Sequence, residues 1–424
     1  MITVRRTMGV ETEYALIDRD DPGADPDQLA RALLFTYARD AAAGGTPSTD
    51  HVPAAAGRRL LAGAGCRFDY SGELPTRDAR DGADRDLVPE ARTDREAGAV
   101  LTGSPTRWVK RVTPFESHYY RGSASHAVNG ARLYVDHTHP EYASPEALGP
   151  REAVLYDRAG DLLMHRAETA LSRERGSRVQ VIKNNTDGHG AAWGAHESYA
   201  VRRDVPWDLL TAVTLPFLVT RQVIGGSGRV GIGAQSRTPG FQVFARADYI
   251  EQEVSIYTTR ERPIVNTRDE PHADASRWRR LHVVAGDSAV SPWTTALKVV
   301  LVDAALTLVE RGQWDLADCE LADPAHAAHV WNQDPNTACR RVGGRSDITC
   351  PDLVELVLER LASPAADEAD GLTARVLDLA GRGAQALRSG RPGPVATELD
   401  WAIKHRVLAR VAERSPSGWR APRV

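Results

Sequence analysis

Glu11 and Glu13 lie two residues apart in GVETEYAL, near the start of the chain. On a strand that spacing projects both carboxylates from one face. Two carboxylates side by side repel unless a cation lies between them, and oxygen ligands on a rigid surface suit Mg²⁺. For an ExE pair alone, a solvent-facing alternation is the commoner reading. The segment ARLYVDHTHPEY repeats the geometry, with Arg132, Tyr134 and Asp136 at i, i+2 and i+4 and Glu141 just past the turn. One face then offers a guanidinium suited to phosphate, a phenol, and a carboxylate suited to a metal or to proton transfer. An exposed antiparallel face would look the same, but the coincidence of two such rows weakens that reading.

A third stretch, KNNTDGHGAAWGAHESY, joins a strand to a loop rich in Asn, Gly, His and Glu. Here His196 and Ser198 are again two apart, and His196 is a ligand candidate, whereas Asn184, Asn185 and Asp187 read as caps and turns. GGSGRVGIG (225–233) resembles a phosphate-cradling loop, yet neither GxxxxGK[ST] nor a strand-GxGxxG-helix unit is present, so a flexible glycine turn is the simpler reading. Arg246, Glu251 and Glu253 are expected on an alternating strand, and Arg280 and His282 sit two apart in WRRLHVV. Individually weak, these rows together describe a sheet whose polar face collects Glu, Asp, Tyr, His and Arg, as a nucleotide and metal site built on strands requires. GxSxG and HExxH are absent, which removes the Ser-His-Asp hydrolase and zinc protease readings.

The elements that must position these residues follow from periodicity. Residues 3–17 read as a first strand and 27–43 as a helix; 44–126 is rich in Gly, Pro, Arg and Asp and reads as a long mobile excursion. NGARLYVDHTHPEYASPEAL reads as a strand ending at Pro140, 150–175 as a helix, RVQVIKNNT as a strand and 206–224 as a mostly buried helix. Further strands are expected at GFQVFARADYIEQEVS and RRLHVVAG, then a helix through residue 312, after which the chain looks helical and surface-like. This is an α+β pattern.

The chain has 424 residues and 53 Lys+Arg against 57 Asp+Glu, a formal net charge of -4, with no basic run of the kind a dedicated nucleic-acid binder carries. Cys66, Cys319, Cys339 and Cys350 form no CxxC pair, which argues for neither a disulfide framework nor a zinc site. No apolar run approaches the roughly 20 residues of a membrane span, and two glutamates stand where a signal peptide needs an apolar stretch. A cytoplasmic protein with no membrane partner is the expectation.

MGVETEYAL, NGARLYVDHTHPEYASPE, KNNTDGHG with GAHESY, GSGRVGIG, RADYIEQEV and NTRDEPHADASRWRRLHVVAGD together resemble the Pup ligase and depupylase enzymes, relatives of glutamine synthetase and of the carboxylate-amine ligases. RFDYSGELPTRDAR (67–80) resembles the start of the long loop that depupylases carry and the ligase lacks, which favours the depupylase branch. The resemblance implies a glutamine-synthetase-like, mostly antiparallel sheet with the nucleotide and metal site on its concave face, flanked by helices. It implies a catalytic domain over 1–312 with a loop insertion at about 67–118, and a mainly helical part over 313–424 that the family's further small domain would follow. By correspondence, Glu11, Tyr134 and Glu141 are magnesium ligands, with His196 and His282 as further metal ligands. Arg132 and Ser144 are nucleotide contacts, Arg246 and Arg280 phosphate-binding arginines, and Asp136 the catalytic carboxylate. Ser198 stands where depupylases tend to have Asn.

The implied activity is ATP- and Mg²⁺-dependent: deamidation of the C-terminal glutamine of Pup and hydrolysis of the isopeptide bond between Pup and a substrate lysine. Pup or pupylated proteins and nucleotide are the implied partners. Two other readings remain open at this point: a depupylase-like paralogue using ATP for phosphoryl transfer or amide ligation on another substrate, and an inactive regulatory homologue. A costly cluster of like charges has no physical reason to persist in a dead site, which counts against the latter.

Overall fold

The computed structural model of the chain describes residues 6–42, 78–80, 124–127, 129–188, 190–231, 240–258, 261–314, 319–365, 371–415 and 418–420. Apart from residues 78–80, the expected loop at 67–118 lies outside the described residues. In chain order, β1 (Thr7–Glu13) and β2 (Ala15–Asp18) precede α1 (Pro26–Ala42). Next come β3 (Ala124–His126), β4 (Arg132–Asp136), β5 (His139–Ala143), β6 (Ala147–Leu148) and the long α2 (Pro150–Arg175). They are followed by β7 (Val179–Ile182), β8 (Ala195–Arg202), α3 (Trp207–Ile224), β9 (Arg229–Val230), β10 (Phe241–Gln242), β11 (Gln252–Ser255), β12 (Pro263–Asn266) and β13 (Trp278–Val283). Helices α4 (Pro292–Glu310), α5 (Pro324–Gln333), α6 (Cys350–Ala365), α7 (Gly371–Ser389) and α8 (Asp400–Arg414) complete the chain.

A nine-stranded sheet runs in the order β11-β12-β13-β8-β1-β5-β4-β3, with β6 also on β1. Every neighbour pair is antiparallel except β11 with β12. Alternation gives the sheet two characters: on β1, Met8, Val10 and Thr12 are buried while Thr7, Gly9 and Glu11 are only partly so. Behind the sheet, Leu281 and Val283 are fully buried, each worth about 1.5–3 kcal/mol of transfer free energy. Helices α3 and α4, apolar nearly all round, form this layer; every residue of α3 from Val213 to Ile224 is buried. By length and composition α4 could cross a membrane, but it is mostly buried inside the protein. A second core lies between α1, α2 and the β4–β5 hairpin, built on Leu33, Leu34, Leu133, Tyr142 and Met164. There α2 approaches so closely that a Cβ at Gly160 would stand 2.6 Å from the Tyr142 ring.

Several expectations change. The first strand breaks at Tyr14, whose backbone N–H donates to Pro140 O, and β2 leaves to pair with β7 in a separate two-stranded sheet. Pro140 does not end a strand: it lies inside β5, pairing with Val135. Its carbonyl still accepts from Tyr14 N–H, and the missing return donor coincides with the end of the β1 ladder at Glu13. Arg246 and Glu251 are not on a strand, because Ala247–Tyr249 form a 3₁₀ turn and β11 begins only at Gln252. The buried carboxylate of Asp287 captures the N–H groups of Ala245 and Arg246 and turns the chain out of the extended ladder. The glycine loop is not a free turn either: a Cβ at Gly226 would stand 2.1 Å from Val243 O, so two backbones meet there. Finally, α5, α6 and α7 are no surface layer. Trp331, Leu353 and Leu379 are fully buried in the same core as α3 and α4.

Candidate active site

Residues directly opposite in an antiparallel pair project from the same face. Glu11 lies opposite His196 on β8 and Ala143 on β5, and Glu13 lies opposite Glu141. On β4, Arg132 faces Ala143, Tyr134 faces Glu141 and Asp136 faces His139. On β13, His282 is opposite Ser198 and Arg280 opposite Ala200. Local alternation plus this register brings residues distant in sequence onto one open face.

Two clusters result. Ligand atoms of Glu11, His196 and His282 all lie within 4.8 Å of one another, as do those of Glu13, Asp136 and Glu141. His196 Nδ1 is 3.3 Å from Glu11, His139 Nδ1 is 3.2 Å from Glu13, and His137 Nδ1 is 3.0 Å from Asp136. Burial, reinforced by Glu11, Asp136 and Glu13, pushes the Glu141 carboxyl well above the usual carboxylate range. Burial also presses on Glu11 and Asp136, but the imidazoles beside them outweigh it, and both carboxyls are held below their ordinary values. Tyr134, pushed well up by burial and by Glu141 and Glu11, stays a neutral phenol hydrogen-bonded to Glu141. Burial, with Arg280 and His196, drives the His282 imidazole well down, so it is neutral, and neither ring nitrogen has a hydrogen-bond partner among the described residues.

Those features fit a divalent cation. A cation would be met by the lone-pair nitrogen of the His282 imidazole and would relieve the carboxylate crowding that raises Glu141. Donor chemistry separates the clusters: the all-oxygen set of Glu13, Asp136 and Glu141 suits a hard ion such as Mg²⁺, whereas two imidazoles with Glu11 also suit a softer divalent metal. Within the oxygen set Glu13 and Glu141 are buried, whereas the Asp136 side chain retains 31% exposure and opens into a cavity.

Two cavities flank the clusters. One, of 640 Å³, is lined by Gly9, Glu11, Arg132, Ser144, His272 and Arg280 among others. Glu270 holds Arg280 at 2.9 Å, the Ser144 hydroxyl accepts from Val10 N–H, and burial together with Arg280 lowers the His272 imidazole to about 4. The other, of 330 Å³, is lined by Glu13, Asp136, His139 and His196 together with Arg246, Tyr249 and Arg262. Arg132, Ser144 and Arg280 therefore share one cavity, and Arg246 stands in the other, apart from the two arginines with which it was expected to act.

The reverse face of β8 holds the site from behind. Glu197, next to His196, points into the core and receives Arg221 from α3, the Tyr199 hydroxyl, and Lys298 of α4 at 3.2 Å. Although fully buried, its carboxyl is held down at about 2 by Arg221 and Lys298. Asp287 in turn accepts from the N–H groups of Ser227, Ala245 and Arg246 and from the Ser227 hydroxyl, tying three loops together under the smaller cavity.

Sequence reasoning left out Glu13, His139, His272, Glu270 and Arg262 as site residues. For Glu13 the signal was present, since ExE spacing places it beside Glu11. His139 follows from the hairpin once the turn at His137–Thr138 is known. His272, Glu270 and Arg262 lie on irregular backbone, where no periodicity points at a face.

Known proteins resemble this chain in sequence and in fold. The chain is 38% identical over 437 residues to the Pup deamidase/depupylase of Mycolicibacterium smegmatis, a match covering 99% of this chain and 77% of that protein. It is 38% identical over 333 residues to the Pup–protein ligase of Micrococcus luteus, covering 76% of this chain and 72% of that one. Among solved structures it resembles the ligase PafA in its complex with Pup, with a TM-score of 0.70 at 27% identity over 99% of this chain and 71% of the other. A similar match is to PafA with ADP, with a TM-score of 0.64 at 31% identity over 80% and 74%. This glutamine-synthetase-like α+β fold, as expected from the sequence, is matched by a family model, Pup-ligase protein, over residues 6–424, and the chain belongs to that family.

Proposed function

We propose that the protein is an ATP- and Mg²⁺-dependent amidohydrolase of the depupylase type, removing the amide of a C-terminal glutamine in Pup and hydrolysing Pup–lysine isopeptide bonds. The observation that carries this reading is the position of Asp136. It ends the β4 row as the exposed member of the oxygen cluster and faces the smaller cavity, while the larger cavity keeps Arg132, Ser144 and Arg280 for a nucleotide. In sequence, the match to a deamidase/depupylase covers 99% of the chain, against 76% and 69% for two Pup–protein ligases, which supports the hydrolytic branch, while by structure the ligase PafA also covers 99%.

In this reading nucleotide with Mg²⁺ supplies phosphate and charge neutralisation on the sheet face. The protein's residues do the rest. Arg132 and Arg280 hold negative charge in the larger cavity. Glu11, Glu13, Tyr134, Glu141, His196 and His282 hold the cation. Asp136, kept ionised by its histidine neighbours, can act as base or nucleophile at an amide carbon in the smaller cavity. The structural likeness to PafA favours ligation as the second reading.

One experiment separates the two. Purified protein is given ATP, Mg²⁺ and Pup ending in glutamine, a Pup conjugate, or Pup ending in glutamate with an acceptor protein, with products read by mass spectrometry. Loss of the amide and release of free Pup are expected. Formation of new conjugates from Pup ending in glutamate, with no cleavage, would overturn the hydrolase assignment in favour of the ligase.

A further inference from the structure

Helix α2 carries a face that neither core uses. Arg151, Leu155, Arg158, Leu162, Arg166 and Arg173 follow one another at steps of three, four or seven residues, which places them on one narrow stripe of an α-helix. From first to last the stripe runs about 33 Å, at about 1.5 Å per residue. Leu155 is 63% exposed and Leu162 49%. The Arg158 guanidinium donates to Val290 O at 2.9 Å, which brings Val290, itself 56% exposed, beside the turn between the two leucines. None of these residues lines either cavity of the site.

The charge on the stripe is of one sign. Arg151, Arg166 and Arg173 make no ion pair with a carboxylate among the described residues, and Arg158 pairs with Asp161 at 2.5 Å. The acids of the helix are engaged elsewhere: Asp157 and Asp161 take Lys183, Glu152 and Glu168 accept the backbone N–H groups of Leu148 and Val181, and Glu174 accepts from the Thr36 hydroxyl. Arg151 stands in the first turn, where the helix dipole disfavours a cation. An acidic surface laid against the stripe meets complementary charge along its whole length.

We infer that this face of α2 docks an amphipathic α-helix of a partner protein, one whose apolar seam is flanked by acidic residues. Two leucines seven residues apart repeat at the interval of a helix-on-helix seam, and the arginines bordering them stand where such helices exchange salt bridges. A lipid surface fits less well, because helices that lie on membranes sink a broad apolar face into them, and here a two-leucine seam lies among four arginines. Nucleic acid would answer the arginines and leave Leu155, Leu162 and Val290 without an apolar partner. The inference is independent of the reaction assigned to the polar face of the sheet.

The test titrates the whole protein against a labelled helical peptide of about four heptads, with Leu along its seam and Glu on both flanks, whose own charges oppose self-pairing. A counterpart with Lys in place of Glu is the control. The acidic peptide is expected to bind the wild type, more weakly as salt rises, and the basic peptide not to bind. Arg166→Glu, and separately Leu155→Ser combined with Leu162→Ser, should each weaken the acidic peptide by about tenfold or more, the first by opposing like charges and the second by removing the apolar anchors. These positions are exposed, so melting temperature and circular dichroism, read on the same samples, should stay at wild-type values. No saturation by the acidic peptide below about 100 μM, equal binding of both peptides, or binding indifferent to the leucine substitutions overturns the inference. Vesicles of phosphatidylserine in phosphatidylcholine, or a duplex oligonucleotide, bound in an Arg166-dependent manner while the acidic peptide is not, overturn it in favour of a membrane or nucleic-acid surface.

Discussion

The Arg221 guanidinium on α3 donates to the carboxylate of Glu197 on β8, both side chains almost wholly buried, on the side of the sheet opposite His196. Adjacent residues of one strand thus serve two purposes: His196 faces the site and Glu197 anchors the strand to α3 and α4. Replacing Glu197 with Gln leaves Arg221 and Lys298 without their counter-charge in the core. A loss of about 3–5 kcal/mol is expected in denaturant unfolding. A loss under 1 kcal/mol would show that the pair is not the anchor described.

The same carboxylate sets an acid limit. Its folded value, about 2, is below the ordinary 4.5 of an unfolded chain. A depressed folded value means that the stabilisation is complete above the unfolded pKa and is lost as pH falls through the folded one. The stability difference between wild type and Glu197→Gln should be flat above about pH 5 and shrink progressively between about pH 4.5 and 2. A difference growing toward low pH contradicts the assignment.

Metal binding should release protons, because a cation counters the burial and neighbouring carboxylates that raise the Glu141 carboxyl. Calorimetry of Mg²⁺ with ATP in buffers of different ionisation enthalpy is expected to show net proton release. The melting temperature should rise with ligand, by about 2.7 kcal/mol of stability at a hundred times the dissociation constant. A melting temperature indifferent to saturating Mg-ATP would falsify the site.

Gly194 tests the tightness of the oxygen cluster. A Cβ there would stand 2.4 Å from Glu13 Oε1 and 3.2 Å from His196 Nε2. Gly194→Ala must therefore displace the Glu13 carboxylate, and a drop in Mg²⁺ affinity of about tenfold or more is expected, in line with other losses of ligand orientation. Unchanged affinity would place Glu13 outside the ligand set.

Asp136→Asn keeps shape and removes charge at a side chain that is 31% exposed, so the fold should survive. Loss of a general base costs about 10² to 10⁴ in rate, and loss of a nucleophile more. Nucleotide affinity, assigned in the proposed function to the other cavity, should be largely kept. Near wild-type turnover, or early melting with activity intact, would make Asp136 a turn-ordering residue instead.

Alternation on regular strands made much of the site legible in advance. Glu11 and Glu13, then Arg132, Tyr134 and Asp136, then Arg280 and His282, share a face because strand side chains repeat every two residues, whatever the rest of the chain does. Helix spans were legible for a similar reason: the apolar periods of α1, α2 and α3 are local, and the observed ends fall within about two residues of those expected. Local period carries no register, however. That Glu13 meets Glu141, that Glu11 meets His196, and that Pro140 sits harmlessly inside β5 depend on pairing between strands far apart in sequence.

The sequence by itself determined which residues could share a face and that such a face could hold a metal and a phosphate. Only the tertiary structure decided how they divide: Arg246 and Arg262 in one cavity, Arg132 and Arg280 in the other, with Asp136 facing the first. It also decided that Arg246 leaves the strand, because the Asp287 carboxylate captures its N–H. The physical reason is common to these cases. Side-chain direction along a strand is a covalent consequence of the backbone, whereas the placing of a turn or a guanidinium is settled by whichever distant carboxylate, carbonyl or packed ring it meets.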